Sequence, residues 1–402
     1  MWRQFLQNGP VLSNSKDRES PMGPSTRLLH AGYAPTDYHG FVNPPTVRAS
    51  TVLFPDAESM RRRDQKYLYG LRGTPTIEAL EQALDDLEGS HGTILVPSGL
   101  AAISFPLLAF LSSGDHCLVV DSVYGPTRLF CDTLLRRMGV ETEYFDPAIG
   151  GAGLAQRMRP NTRVVFLEAP GSNTFEMLHV GEMAEVARRG GAVSMMDNTW
   201  ATPLLFRPLD HGVDLSIHAL TKYPGGHSDV MMGSVSANRE TYARLRDAQM
   251  QIGVNVSPDD TYLVLRGLKT MAVRLKAHEA AALELASWLE TRPEVARVLH
   301  PALPSFPGYE LWKSQFKGAS GLFSIVLAGG GEREASAFLD ALRIFGLGYS
   351  WGGFESLALE AHLGDRVVAK APCEGPVIRL QIGLEDVADL RRDIEGGLAA
   401  LR

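Results

Sequence analysis

The chain has 402 residues, room for two to three domains at about 150 residues each and enough to bury a core without disulfide or metal staples. Its composition is that of an ordinary globular protein, 45% hydrophobic and 21% charged with 40 Gly and 24 Pro. A formal net charge of −7 argues against a protein built to coat nucleic acid, and three scattered cysteines (Cys117, Cys131, Cys373) form neither a disulfide framework nor a zinc pattern.

Residues 1–25 are polar, are broken by Pro10, Pro21 and Pro24, and carry Asp17 and Glu19. They read as a loose arm without the apolar stretch of a secretory signal, and Met22 is a candidate start. Thr74-Pro75 followed by Ile77, Leu80, Leu84 and Leu87 predicts an amphipathic helix with Pro in its first turn and Gly89 as its stop. Short apolar strands follow at 93–96 and 117–120. Each leads to a helix, the first at the Ser98-Gly99 turn and the second from about Pro126 to Met138. Tyr144, 164–167 and 193–196 mark further strands, with a helix at 181–188. This alternation predicts a doubly wound, mostly parallel α/β sheet.

From about Ser257 the rhythm changes. An Ala- and Leu-rich helix at 274–289 leads through Pro301, Pro304 and Pro307 to a strand at 323–327. A helix at 334–345, a strand at 377–382 and a closing helix from about Glu385 complete the chain. Two strands and two helices in that order predict a smaller α+β domain. The domains are therefore placed at 61–256 and 257–402, after an N-terminal segment of 1–60. No run of about 18 apolar residues predicts a membrane span, and the expectation is a soluble, cytoplasmic protein with no membrane partner.

Asp197 closes the strand at 193–196 and Lys222 stands 25 residues further on, at the end of another strand. Open α/β sheets place ligands at such strand ends. A lysine able to form a Schiff base, with an acidic partner for a pyridinium nitrogen, is what pyridoxal phosphate (PLP) requires. Ser98-Gly99-Leu100 lies between a strand and a helix, where free N–H groups would suit a phosphate. Each feature alone also fits a solvated lysine, a capping aspartate or an ordinary loop.

Longer runs carry a resemblance. They are His30-Ala31-Gly32, Tyr69-Gly70 with Gly73-Thr74-Pro75-Thr76, Val123-Tyr124-Gly125-Pro126, Asp197-Asn198-Thr199-Trp200, Thr221-Lys222-Tyr223 with Gly226-His227-Ser228-Asp229, Tyr349-Ser350-Trp351-Gly352-Gly353, and Ile378-Arg379-Leu380 with Ile382-Gly383-Leu384-Glu385. From about residue 26 onward the chain resembles the Cys/Met-metabolism family of fold-type I PLP enzymes. The resemblance implies that fold and PLP as cofactor. It makes Lys222 the Schiff-base lysine, Asp197 the partner of the pyridine nitrogen, and Tyr124 the ring stacked on the cofactor. Gly99 and Leu100 become backbone donors to phosphate and Thr221 a hydroxyl donor. Tyr69 becomes a residue entering from the neighbouring subunit, and Arg379 the grip on the substrate carboxylate, with Ser350 and Trp351 in the loop beside it. It also implies active dimers paired into a homotetramer.

Two positions depart from the common pattern. Leu71 stands where many relatives carry an arginine that reaches the phosphate across the subunit boundary, so Arg72 is the candidate contact. Glu168-Ala169 leads into Pro170-Gly171-Ser172 where γ-carbon enzymes carry Pro-Thr-Asn-Pro. With Trp200, Ala219 and the 350–353 run, this resembles the β-lyase branch. The implied reaction is β-elimination of an amino-acid thioether such as cystathionine, giving homocysteine, pyruvate and ammonia in methionine synthesis. Lys222 would act as base, and Lys222 or Tyr124 as proton donor to the leaving thiolate. Another cysteine-conjugate β-lyase, a γ-lyase and a non-catalytic PLP-binding regulator are the alternatives.

Other features read as structural. His211, His218 and His227 fit no compact metal motif, so no metal site is expected. Gly150-Gly151-Ala152-Gly153 reads as a surface turn and Arg61-Arg62-Arg63 as a solvated face before a helix. Met271, Trp312 and Phe316 read as core or interface, and the cysteines as structural.

Overall fold

Thr74 starts the first long helix by accepting the Ile77 N–H on its side-chain oxygen, and Gly89 stops it at φ +68°. This helix, α1 (Pro75–Glu88), buries Ile77, Leu80, Leu84 and Leu87 as their spacing predicts. Arg61 and Arg62 do not precede a helix but end a short one, Ala57–Arg62, on the surface, where Arg62 pairs with Glu58 and Asp64. The computed structural model describes residues 22–372 and 374–401. Most of the expected N-terminal arm and Cys373 lie outside the described residues.

The larger sheet holds seven strands: β1 (Gly92–Val96), β2 (His116–Val120), β3 (Glu141–Phe145), β4 (Thr162–Glu168), β5 (Val193–Asp197), β6 (Leu215–Ala219) and β7 (Gly233–Ala237). Their order is β1-β7-β6-β5-β4-β2-β3. The β3–β2, β2–β4, β4–β5 and β5–β6 pairs are parallel, while β7 runs antiparallel to β6 and β1. Strands covered on both faces need apolar residues at every position, which is why the central ones read as continuous apolar runs. Within β1, Ile94 and Val96 face one core while Leu95 faces another. The sequence reading has no counterpart for β7: Gly233-Ser234-Val235-Ser236-Ala237 has no apolar run, and two neighbouring strands hold it in place.

Helix α2 (Gly99–Phe110) follows β1, and α3 (Gly125–Phe130) follows β2 and continues as a π-helical turn, Cys131–Leu135. The glycine run at 150–153 is not a surface turn. It opens helix α4 (Gly150–Arg157), because Asp146 caps the preceding Pro147–Ile149 turn and fully buried Leu154 draws the helix onto the core. Helix α5 (Val180–Arg189) lies between β4 and β5 in the chain.

Ser257 caps α6 (Pro258–Leu289), whose 32 residues begin well before the expected 274. Its Leu268, Met271 and Leu275 pack with Leu80, Leu84 and Tyr223, whereas Ala282, Leu285 and Leu289 share a core with Phe323 and Ile325. The smaller sheet has five strands rather than two: β8 (Val295–Leu299), β9 (Leu322–Leu327), β10 (Gly346–Leu347), β11 (Leu357–Glu360) and β12 (Val377–Gln381). They are ordered β10-β11-β12-β9-β8, antiparallel except for β10–β11. Two- and four-residue strands are too short to show a period, which explains why β10 and β11 escape a sequence reading. Helices α7 (Glu332–Ala341) and α8 (Val387–Ala399) cover this sheet through Phe338, Leu390 and Ile394.

Candidate active site

A cavity of about 390 Å³ opens where β1, β4, β5 and β6 end, with Tyr124 reaching it from the turn after β2 and Arg379 from β12 of the smaller sheet. It brings together Gly99, Leu100, Tyr124, Asp197, Thr221, Lys222, Trp351 and Arg379 of the residues singled out above. Parallel strands pointing the same way deliver their carboxyl-terminal residues to one edge, so positions far apart in sequence meet there.

Lys222 follows β6, and its Nζ donates to Ser350 Oγ at 2.7 Å and lies 5.1 Å from the centre of the Trp351 ring. Burial and then the Arg379 charge push its pKa down to about 8, against the opposing pull of Asp197. About a tenth of this amine is therefore unprotonated at pH 7, far more than for an ordinary lysine, as a nucleophile or base requires. Ser350 sits at φ +80° and Gly352 at φ +82°. A Cβ on Gly352 would meet Tyr223 N at 2.9 Å and Lys222 Cα at 3.2 Å, so only glycine lets this loop lie against the lysine.

Asp197 ends β5 and accepts the Thr199 N–H at 2.9 Å. Burial raises its pKa, and the Thr199 bonds and the Lys222 charge oppose that rise. In the parallel register Glu168 of β4 stands beside Asp197. Glu168 Oε2 accepts the Tyr124 backbone N–H at 2.8 Å, tying the turn after β2 to the end of β4. Burial, then Asp197 and Glu168, raise the Tyr124 phenol pKa, so its hydroxyl keeps its proton.

Ser98 caps α2 by accepting the Ala101 N–H at 3.1 Å. The first N–H groups of a helix have no partners within it, and here they belong to Gly99 and Leu100 on the cavity wall. A Cβ on Gly99 would come within 2.6 Å of the Ala219 Cβ, so the backbone approach needs glycine. The Thr221 hydroxyl is already engaged: it donates to Met232 O at 3.2 Å and accepts the Met232 N–H at 3.0 Å. Serving a phosphate as donor requires it to give up the first of these bonds.

Arg379 projects from the middle of β12, with Nη2 donating to Ser350 O at 3.1 Å and Nη1 to Asn173 Oδ1 at 3.4 Å. Burial lowers its pKa to about 10, leaving it cationic. No carboxylate among the described residues forms an ion pair with it, so its fork is open to an anion. Tyr69 and Arg72 are not on this chain's cavity. Tyr69 is 52% exposed and bridges to Thr51, and exposed Arg72 offers its carbonyl to Arg246.

The sequence reading passed over Glu168, Asn173 and Thr199 as site residues. Glu168 had a usable signal, because it ends a strand beside that of Asp197. Asn173, at φ +66°, had none, since a loop conformation brings it to Arg379. Thr199 Oγ1 takes the Ala219 N–H at 2.9 Å and joins the two strand ends that carry Asp197 and Lys222. The histidines do not converge: His218 is fully buried in β6, His211 stacks on Phe206 and His227 bonds to Gly225 O. Cys117 and Cys131 are buried, and burial pushes both thiols up. Phe316 and Met271 are core residues.

A poised lysine, a strand-end carboxylate and a helix N-terminus around one cavity are the donor set of a PLP enzyme of fold type I. The chain belongs to the Cys/Met metabolism PLP-dependent enzyme family, whose model matches residues 25–399. It is 64% identical over 392 residues to a Rhizobium johnstonii protein provisionally named cystathionine β-lyase, covering 96% of this chain and 99% of that one. It is 42% identical over 389 residues to the cystathionine β-lyase MetC of Escherichia coli (94% and 98% covered). A relative from Wolbachia pipientis, 40% identical over 397 residues (93% and 96% covered), is named L-alanine/L-glutamate racemase. Among solved structures, metB from Corynebacterium glutamicum matches with a TM-score of 0.89 at 34% identity, covering 95% of this chain and 99% of that one.

Proposed function

We propose that this protein is a carbon–sulfur β-lyase that cleaves L-cystathionine, with one water consumed, to L-homocysteine, pyruvate and ammonia in methionine synthesis. The observation that carries the reading is Lys222 Nζ, held by Ser350 in the cavity it shares with Arg379 and Asp197, with its pKa lowered to about 8. When bound, PLP supplies an electron sink conjugated to the substrate Cα.

The chain's own groups do the rest. Arg379 grips the α-carboxylate with a planar fork. Asp197 would partner the pyridine nitrogen, the Gly99 and Leu100 N–H groups would hold the phosphate, and Tyr124 would lie against the ring. Lys222 Nζ would take the Cα proton as the base. Tyr124 or Lys222 returns a proton to the departing sulfur. Trp351, its ring centre 5.1 Å from Nζ, adds a cation–π contact to the lysine.

Tyr69, exposed and outside its own cavity, supports a dimer in which it serves the neighbouring site, with dimers paired into a homotetramer. Phe41, Leu53 and Met60, exposed on the same N-terminal stretch, supply apolar surface for such a contact. Arg72 would accompany Tyr69. No helix of the described residues is long and apolar enough to cross a membrane.

The test is product identification with the PLP-loaded enzyme. Cystathionine should yield pyruvate; 2-oxobutyrate in its place would indicate γ-cleavage, and interconversion of L- and D-alanine without pyruvate from cystathionine would indicate a racemase. Lys222→Ala should abolish turnover and the borohydride-reducible PLP absorbance, and steady activity in that variant would overturn the assignment.

A further inference from the structure

The turn that presents Tyr124 is held by groups the proposed reaction does not use. Glu168 is 9% exposed and reaches across from the end of β4 to take the Tyr124 N–H at 2.8 Å. Two residues earlier in the same turn, Ser122 O accepts the Ser172 N–H at 2.7 Å, so the turn is tied twice to the segment that follows β4. Asp121 closes its other end, pairing with Arg128 and accepting the Val368 N–H at 2.6 Å. A carboxyl is costly at the Glu168 position. It stands in register beside Asp197 and lines the cavity, yet among the described residues its carboxyl hydrogen-bonds only to the Tyr124 backbone.

We propose that Glu168 is a positioning residue acting through Tyr124: its buried carboxyl fixes the backbone of the Tyr124 turn and so sets where the aromatic ring meets the cofactor. The inference rests on the proposed role of Tyr124 and deepens it. Burial and the adjacent Asp197 raise the Glu168 pKa well above the carboxylate range, while the Tyr124 N–H and Arg366 oppose the rise and Glu176 adds to it. Burial and Asp197 thus favour the protonated acid, whose carbonyl oxygen can accept the Tyr124 N–H. An amide oxygen can do the same, which separates positioning from charge.

Five proteins test this, with PLP affinity and the visible circular dichroism of bound PLP as readouts: wild type, Glu168→Gln, Glu168→Leu, Tyr124→Ala and the Glu168→Leu/Tyr124→Ala double variant. Glu168→Gln should keep wild-type affinity within about twofold and keep the dichroic band. Glu168→Leu, similar in bulk but without an acceptor, should weaken PLP binding about tenfold and diminish the band. In the Tyr124→Ala background the same leucine should change little, because the residue it acts through is gone. Equal loss in both backgrounds, or equal loss in the glutamine and leucine variants, overturns the inference. A Tyr124→Ala protein that binds PLP like wild type overturns instead the assigned role of Tyr124. If Glu168→Leu does not fold, Glu168→Met takes its place in the same comparison.

Discussion

Lys222 is suited to act as a base because of where the fold puts it. Exposed, its amine would titrate near its ordinary value; buried beside Arg379, it is lowered to about 8. Only the neutral amine attacks an aldehyde, so the rate at which apoenzyme takes up PLP should rise with pH and level off above about 8. Replacing Arg379 by Met removes the second of the two lowering causes and should move that rise to higher pH; an unmoved profile would show that Arg379 does not tune the lysine. The residue types at these positions were legible in the sequence. Their charge states were not, because desolvation and the Arg379–Lys222 proximity join strands 157 positions apart.

At the scale of elements, the 350–353 loop shows how backbone conformation serves the site. Gly352→Ala should introduce a contact at 2.9 Å with Tyr223 N at φ +82°, costing about 1–3 kcal/mol in urea unfolding. Displacing Ser350 and Trp351 should also lower kcat/KM by at least about tenfold, and wild-type values for both measurements would show the close approach to be dispensable. Long periodic elements such as α1 and the buried strands β2 and β4 were readable because one rule, burial of a face or of both faces, sets their pattern. The glycine run at 150–153 misled because Asp146 and Leu154, not local flexibility, decide its conformation. β7 and β10 were silent because their neighbours specify them.

At the scale of the whole molecule, buried histidines tie stability to pH. His300 Nδ1 accepts the Ala302 N–H at 3.1 Å, and burial lowers its pKa to about 4. The unfolded chain binds the proton near pH 6.5 while the fold refuses it until about pH 4, so stability falls as pH drops through that window and by an amount on the order of 3 kcal/mol. His300→Asn, which keeps an acceptor, should flatten that part of the unfolding free-energy profile. Assembly gives a second expectation. Mixed subunits of inactive Tyr69→Ala and Lys222→Ala should recover activity, because each mixed dimer holds one complete site; silence despite demonstrated subunit exchange would return Tyr69 to its own chain.

The sequence by itself determined the class of sheet, through its local apolar pattern, while its motifs carried a resemblance that gave the family and singled out Lys222, Asp197, Tyr124 and Arg379 as candidates. Its net charge of −7 argued against a protein that coats nucleic acid, and that total conceals the local donors at Gly99, Leu100 and Arg379 that suit anions. Only the tertiary structure decided that Thr221 is already hydrogen-bonded, that Tyr69 and Arg72 stand off the chain's own cavity, and that Glu168 shares the floor with Asp197. Those facts depend on which strand ends lie side by side, and strand order is set by packing between segments that no local pattern relates.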